Sequence, residues 1–134
     1  MTLFFDASGL VARSIDFPGR APVLGACAAD ADWCASALAL SEALVLADRL
    51  SDDETERDDL RRALRTDWER LAVVPVDADC LERASELARA HPLRIVDAIH
   101  LAAADRLPRP VTYATFDDHH IPVALALGFD VVSA

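Results

Sequence analysis

Four acidic side chains in this 134-residue chain stand apart from the many others because each is set into apolar surroundings. Asp97 lies in Arg94-Ile95-Val96-Asp97-Ala98-Ile99-His100-Leu101-Ala102-Ala103-Ala104. As a helix this run is apolar on nearly every side and belongs in a core. Burying a lone carboxylate there costs several kcal/mol unless a partner or a metal offsets it. Asp97 is therefore expected either at the helix end facing solvent or facing other charged groups. Asp6 directly follows the apolar Leu3-Phe4-Phe5, Glu42 interrupts the apolar run from Ala37 to Ala47, and Asp117 follows Val111-Thr112-Tyr113-Ala114-Thr115-Phe116. Each has an ordinary structural explanation beside a chemical one. Asp6 and Asp97 suit a helix N-terminus, Glu42 suits a first helical turn, and Asp117-Asp118 suits a turn.

Their positions give them a common address. Ligands of open parallel sheets bind in the crevice beyond the carboxyl ends of the strands. Asp6 and Asp117 end strands, while Glu42 and Asp97 begin helices that can face the same crevice. Four carboxylates gathered there repel one another unless divalent cations hold them. Hard oxygen ligands without Cys or His partners point to magnesium or manganese. Such a site suits phosphoryl transfer, one ion lowering the pKa of an attacking water while a second stabilises the leaving oxygen.

The elements that must position these groups follow from the apolar pattern. Strands are expected at Leu3–Phe5, Trp33–Ser36, Val73–Val76, Val111–Phe116 and Phe129–Val132, the third at a sheet edge because of Pro75. Helical patterns open at Ala7 and run from Val23 to Ala29, Ala37 to Leu50, Asp77 through Ala88, Arg94 to Ala104 and Ile121 to Leu127, the last stopping at Gly128. Pro18-Gly19-Arg20 and Pro22 mark a loop. Ser51-Asp52-Asp53-Glu54 reads as a capping-box start, followed by Leu60, Leu64, Trp68 and Leu71 at helical spacing and by acids and arginines of alternating sign. That helix presents a solvated, ion-paired face. Strands separated by helices imply a single α/β domain over residues 1–134, a Rossmann-like three-layer sandwich with a mainly parallel sheet of four to five strands.

Composition narrows the function. A net charge of -10 repels phosphate backbones, so a basic-groove nucleic-acid binder is disfavoured and a nucleic-acid substrate would need bridging cations. All 13 basic residues are Arg. Without Lys, Walker-type loops and Schiff-base chemistry are excluded. The odd number of cysteines, Cys27, Cys34 and Cys80, fits no zinc or redox spacing and predicts buried reduced thiols. No membrane span or signal peptide is recognisable, so a cytoplasmic location is expected. The apolar excess suggests self-association as a homodimer.

Leu3-Phe4-Phe5-Asp6-Ala7-Ser8, Ser41-Glu42, Ile95 to Ala104 and Ala114-Thr115-Phe116-Asp117, closed by Gly128-Phe129-Asp130-Val131-Val132, together resemble the PIN-domain family, in particular its VapC-type toxin branch. The resemblance spans essentially the whole chain. It implies a magnesium- or manganese-dependent endoribonuclease whose RNA cleavage is neutralised by a small VapB-like antitoxin with an Arg-bearing tail. Carried over by motif, Asp6, Glu42, Asp97 and Asp117 are the metal-binding and catalytic acids. Thr115 would orient a carboxylate or a metal-bound water, and Asp118 is an alternative ligand, although the motif position points to Asp117. The sequence departs from the family around Phe17 to Pro22 and in its acidity, which bears on RNA specificity. His100 is expected to be a satisfied core histidine, with a supporting role beside the acids as the alternative. His119 and His120 are expected in a solvated loop, with contact to a substrate phosphate as the alternative. Two other functions compete: a catalytically inactive PIN-fold scaffold that binds a protein partner, and an aspartyl phosphotransferase using Asp6. The latter lacks its Lys and carries Ser8 where a second acid is common.

Overall fold

The computed structural model describes residues 2–15, 20–29 and 32–133. The expected loop residues Pro18 and Gly19, and Phe17 beside them, lie outside these. The apolar Leu3-Phe4-Phe5 stretch forms the middle of a five-stranded parallel sheet. Strand β1 (Thr2–Phe5) pairs with β2 (Asp32–Ser36) on one side and β4 (Val111–Ala114) on the other. β3 (Ala72–Val74) and β5 (Asp130–Val132) complete the order β3-β2-β1-β4-β5. β3, which Pro75 follows, is an edge strand, as expected.

Because strand side chains alternate between faces, the sheet feeds two cores. Phe4, in register with Cys34 and Tyr113, joins the first and stacks on the Tyr113 ring at 5.5 Å. Leu3 and Phe5 join the second with Trp33 and Ala35. The first core is covered by α5 (Ala78–Ala90), α6 (Ile95–Asp105) and α7 (Ile121–Ala126). The second is covered by α1 (Ala7–Ala12), α2 (Arg20–Ala29), α3 (Ala39–Leu50) and α4 (Glu54–Arg70). Each fully buried Leu or Phe contributes about 1.5–3 kcal/mol.

Two local features set the approach of helices to the sheet. In α6, Ala98, Leu101, Ala102, Ala103 and Ala104 are completely buried, the fate its all-round apolarity requires. In α1, a Cβ at Gly9 would lie 2.3 Å from the Ala114 carbonyl oxygen, so only glycine lets the helix start this close to β4.

Several boundaries differ from the sequence expectation. α2 begins at Arg20 and takes in Pro22, which a first helical turn tolerates because amides there have no intrahelical acceptor. β4 ends at Ala114, leaving Thr115–Asp117 outside the strand, where the Thr115 amide donates to the Val132 carbonyl. β5 starts at Asp130, after Gly128 at φ +87°. α4 carries the anticipated ion pairs, Arg61 reaching Asp48, Glu54 and Asp58, with Asp53 as its N-cap. Cys27, Cys34 and Cys80 are free and buried. No helix among the described residues is long and apolar enough to cross a membrane.

Candidate metal centre

The chain steps outward from β1 to β2 and β3, then returns to lay β4 on the other side of β1. The carboxyl ends of β1 and β4 therefore open onto a crevice at the point where the winding reverses. A cavity of ≈ 330 Å³ lies there, and Asp6, Glu42, Asp97 and Asp117 all line it, together with Ser8, Arg49, Arg94 and His120.

Asp6 takes the capping role considered for it and also lines the cavity. Its Oδ1 caps α1 by accepting from the Gly9 amide at 2.8 Å and also accepts from Ser8 Oγ at 2.7 Å. Its Oδ2 accepts a 2.5 Å hydrogen bond from Thr115 Oγ1. Thr115 is fully buried, and its Oγ1 in turn accepts from the Asp117 amide at 3.1 Å, so one hydroxyl ties the two strand-end acids together. Ser8 Oγ accepts from the Phe116 amide at 2.9 Å and closes the same junction.

Asp97 is 3% exposed and does not cap its helix, whose N-cap is Arg94. Arg94 grips its carboxylate with two nitrogens at 3.1 and 3.2 Å, and His120 Nε2 lies 3.0 Å from Oδ1. Burial pushes the Asp97 carboxyl up, but the hydrogen bonds from Arg94 and His120 outweigh it and hold the group below the usual carboxylate range. Facing other charged groups, rather than solvent, is thus the outcome for this acid.

Glu42, in the first turn of α3, has its Oε1 2.9 Å from His100 Nε2. His100 is fully buried, and its Nδ1 pairs with Ser36 Oγ at 2.8 Å, so it is both a satisfied core histidine and the group that aims Glu42. Asp117 divides its two oxygens. Oδ1 accepts from the His119 amide at 2.9 Å, closing a turn, while Oδ2 lies 3.8 Å from His120 Nε2. Asp118 is exposed and does not line the cavity.

His120 corrects the expectation of a solvated loop. His119 is 73% exposed at its side chain, whereas His120 is 2% exposed. The 118–120 turn directs its ring inward, where Nδ1 meets Tyr113 Oη at 2.9 Å and Asp6 Oδ2 at 3.3 Å. Nothing in Asp117-Asp118-His119-His120 marks in advance which histidine turns inward. The basic group beside Asp97, Arg94, was readable, since residues three apart on a helix are neighbours.

One ligand atom each from Asp97, Asp117 and His120 falls within 4.8 Å of the others. Asp6 joins this group through His120 and Thr115, and Glu42 stands on the same cavity with its carboxylate turned to His100. Burial, then the negative charges of Asp6, Asp97, Glu42 and Asp117, push the Tyr113 hydroxyl well above its ordinary pKa and keep it neutral. Converging carboxylates, an imidazole and a negative field fit a divalent cation.

Comparison with known proteins gives the chain a match to a described family. The family model described as PIN domain matches residues 3–124. No curated protein matches the chain in sequence. Among solved structures, VapC20 of Mycobacterium tuberculosis, described as a sarcin-ricin-loop-cleaving toxin, superposes with a TM-score of 0.71 at 19% identity, covering 90% of this chain and 94% of its own. FitAcB of Neisseria gonorrhoeae gives 0.71 at 16% identity, covering 96% and 95%. VapBC-5, a toxin-antitoxin system of Mycobacterium tuberculosis, gives 0.66 at 17% identity, covering 99% and 98%. Identities this low speak for the fold.

Proposed function

The chain belongs to the PIN-domain family, and on that premise we propose that it is a metal-dependent endoribonuclease toxin of a toxin-antitoxin pair, hydrolysing RNA phosphodiester bonds and inhibited by a cognate antitoxin. The observation that carries this reading is that Asp6, Glu42, Asp97 and Asp117 line one cavity at the carboxyl ends of β1 and β4. A bound magnesium or manganese ion would supply activation of a water nucleophile and stabilisation of the leaving oxygen.

The chain's own residues prepare that chemistry. Asp97 and Asp117 offer oxygens to the cation, Asp6 is held in place by Ser8, Gly9 and Thr115, and Glu42 is aimed by His100. Such support fixes acidic groups before substrate arrives. Arg49 and Arg94 line the same cavity and can meet a phosphate, which matters in a chain of net charge -10. The solved neighbours named for a toxin and for a toxin-antitoxin system support the same class and an antitoxin partner. An Arg-bearing antitoxin tail suits an acidic cavity. A homodimer acting in the cytoplasm completes the proposal.

The test is cleavage of structured RNA by purified, antitoxin-free protein with magnesium or manganese. Wild type should cut, and Asp97→Asn should lower the rate by about 10²-fold or more. Failure of wild type to cut any structured RNA, or equal rates for the two proteins, would overturn the assignment.

A further inference from the structure

We propose that His120 is itself a ligand of the cation, giving the centre a nitrogen donor among its oxygens and making it select manganese over magnesium. This rests on the metal-dependent reading above and adds to the four acids a residue they do not include.

The geometry carries it. Two ligands of one ion with bonds of about 2.1 Å lie roughly 3.0 Å apart when adjacent and roughly 4.2 Å apart when opposite. His120 Nε2 stands 3.0 Å from Asp97 Oδ1 and 3.8 Å from Asp117 Oδ2, both inside that span. The ring is 2% exposed and has no freedom to leave as a solvated side chain would. Its far nitrogen, Nδ1, is held by Tyr113 Oη at 2.9 Å. A metal-bound imidazole almost always has its other ring nitrogen fixed in this way. The Tyr113 hydroxyl donates to Nδ1 when the proton is on Nε2, and accepts from Nδ1 when Nε2 is free to bind an ion. Rotation of one hydroxyl therefore serves both tautomers without moving the ring.

The selectivity follows from ligand type. Magnesium keeps to oxygen and water, whereas imidazole nitrogen suits first-row transition ions. Arg94 competes for Asp97 without blocking it: its side chain is 75% exposed and can swing out into solvent when the ion binds.

Electron spin-echo spectroscopy of manganese bound to the full chain reads the nitrogen directly. Wild type should bind manganese and show nitrogen modulation, whose pattern changes when histidine is labelled with nitrogen-15. His120→Gln should lose that modulation and bind manganese about tenfold more weakly or worse, with magnesium binding little changed. His119→Gln, next along the chain and exposed, should keep both. His120→Phe, which retains a ring beside Tyr113 and His100, repeats the measurement should His120→Gln not fold. Manganese bound without nitrogen modulation, or modulation that survives loss of His120, overturns the inference and leaves the nuclease reading standing. Absence of saturable manganese binding in wild type overturns both.

Discussion

Arg94 holds the buried Asp97 through two nitrogens, yet its own side chain is 75% exposed, so it neutralises the acid while remaining free to leave it. An incoming cation must compete with that guanidinium. Arg94→Gln should therefore raise manganese affinity severalfold by calorimetry while lowering the thermal stability of the metal-free protein, since among the described residues Asp97 then keeps only His120 as an ion-pair partner. Weaker manganese binding in the variant would show that Arg94 supports the ion instead. What the sequence disclosed at this scale was the anomaly of each acid, because an acid in an apolar run is visible without a structure. What it hid was His120. In Asp117-Asp118-His119-His120 all four residues read as polar turn, and only the inward bend of 118–120 separates a solvated histidine from a buried one. His100 was easier, since its place three residues after Asp97 on a helix apolar on nearly every side pointed to burial.

At the scale of elements, the site depends on where α1 and α6 are pinned. Gly9→Ala would drive a Cβ to 2.3 Å from the Ala114 carbonyl and push α1 off β4, displacing the Asp6 cap. A loss of about 2–3 kcal/mol in urea denaturation is expected, together with weakened manganese binding; an unchanged midpoint would contradict the close approach. The far end of α6 is fixed differently. Burial pushes the Asp105 carboxyl up, but hydrogen bonds from Arg109 and Arg83 outweigh it and hold the group below the usual range. A carboxyl so depressed contributes stability above its unfolded pKa of about 3.9 and loses it as pH falls through the lower folded value. Asp105→Asn should thus be less stable than wild type by about 1 kcal/mol at pH 6 to 7, and the gap should close below about pH 4. A gap that persists at low pH would mean packing, not charge, explains it. Element type was readable from apolar spacing and polar starts: Asp77, where a helical pattern was expected to open, is the N-cap of α5 and accepts from the Cys80 amide. Ends were less so. β4 stops two residues short of Phe116, and just past its end Thr115 turns its hydroxyl to Asp6, a long-range partner that no local pattern encodes.

For the whole molecule, the decisive quantity is negative charge gathered where the sheet's winding reverses. A chain of net charge -10 with four carboxylates on one cavity should take a cationic occupant, whether metal or arginine. An antitoxin tail bearing Arg should therefore compete with manganese, its binding weakening as manganese is added; binding indifferent to manganese would place the tail elsewhere. The parallel three-layer architecture was legible in the alternation of strand and helix signals, and the address of the acids followed from it. The contacts that make the acids one site, Thr115 to Asp6 and His120 to Asp97, join residues over a hundred and over twenty positions apart and needed the fold to appear. The claim beneath all of this is that the converging carboxylates hold a divalent cation. Titration of the purified full chain with manganese, followed by the loss of the free-ion electron resonance signal, tests it most directly. Saturable binding in wild type that collapses in Asp97→Asn is the predicted result, and a titration that never saturates, or that Asp97→Asn leaves unaltered, would contradict it.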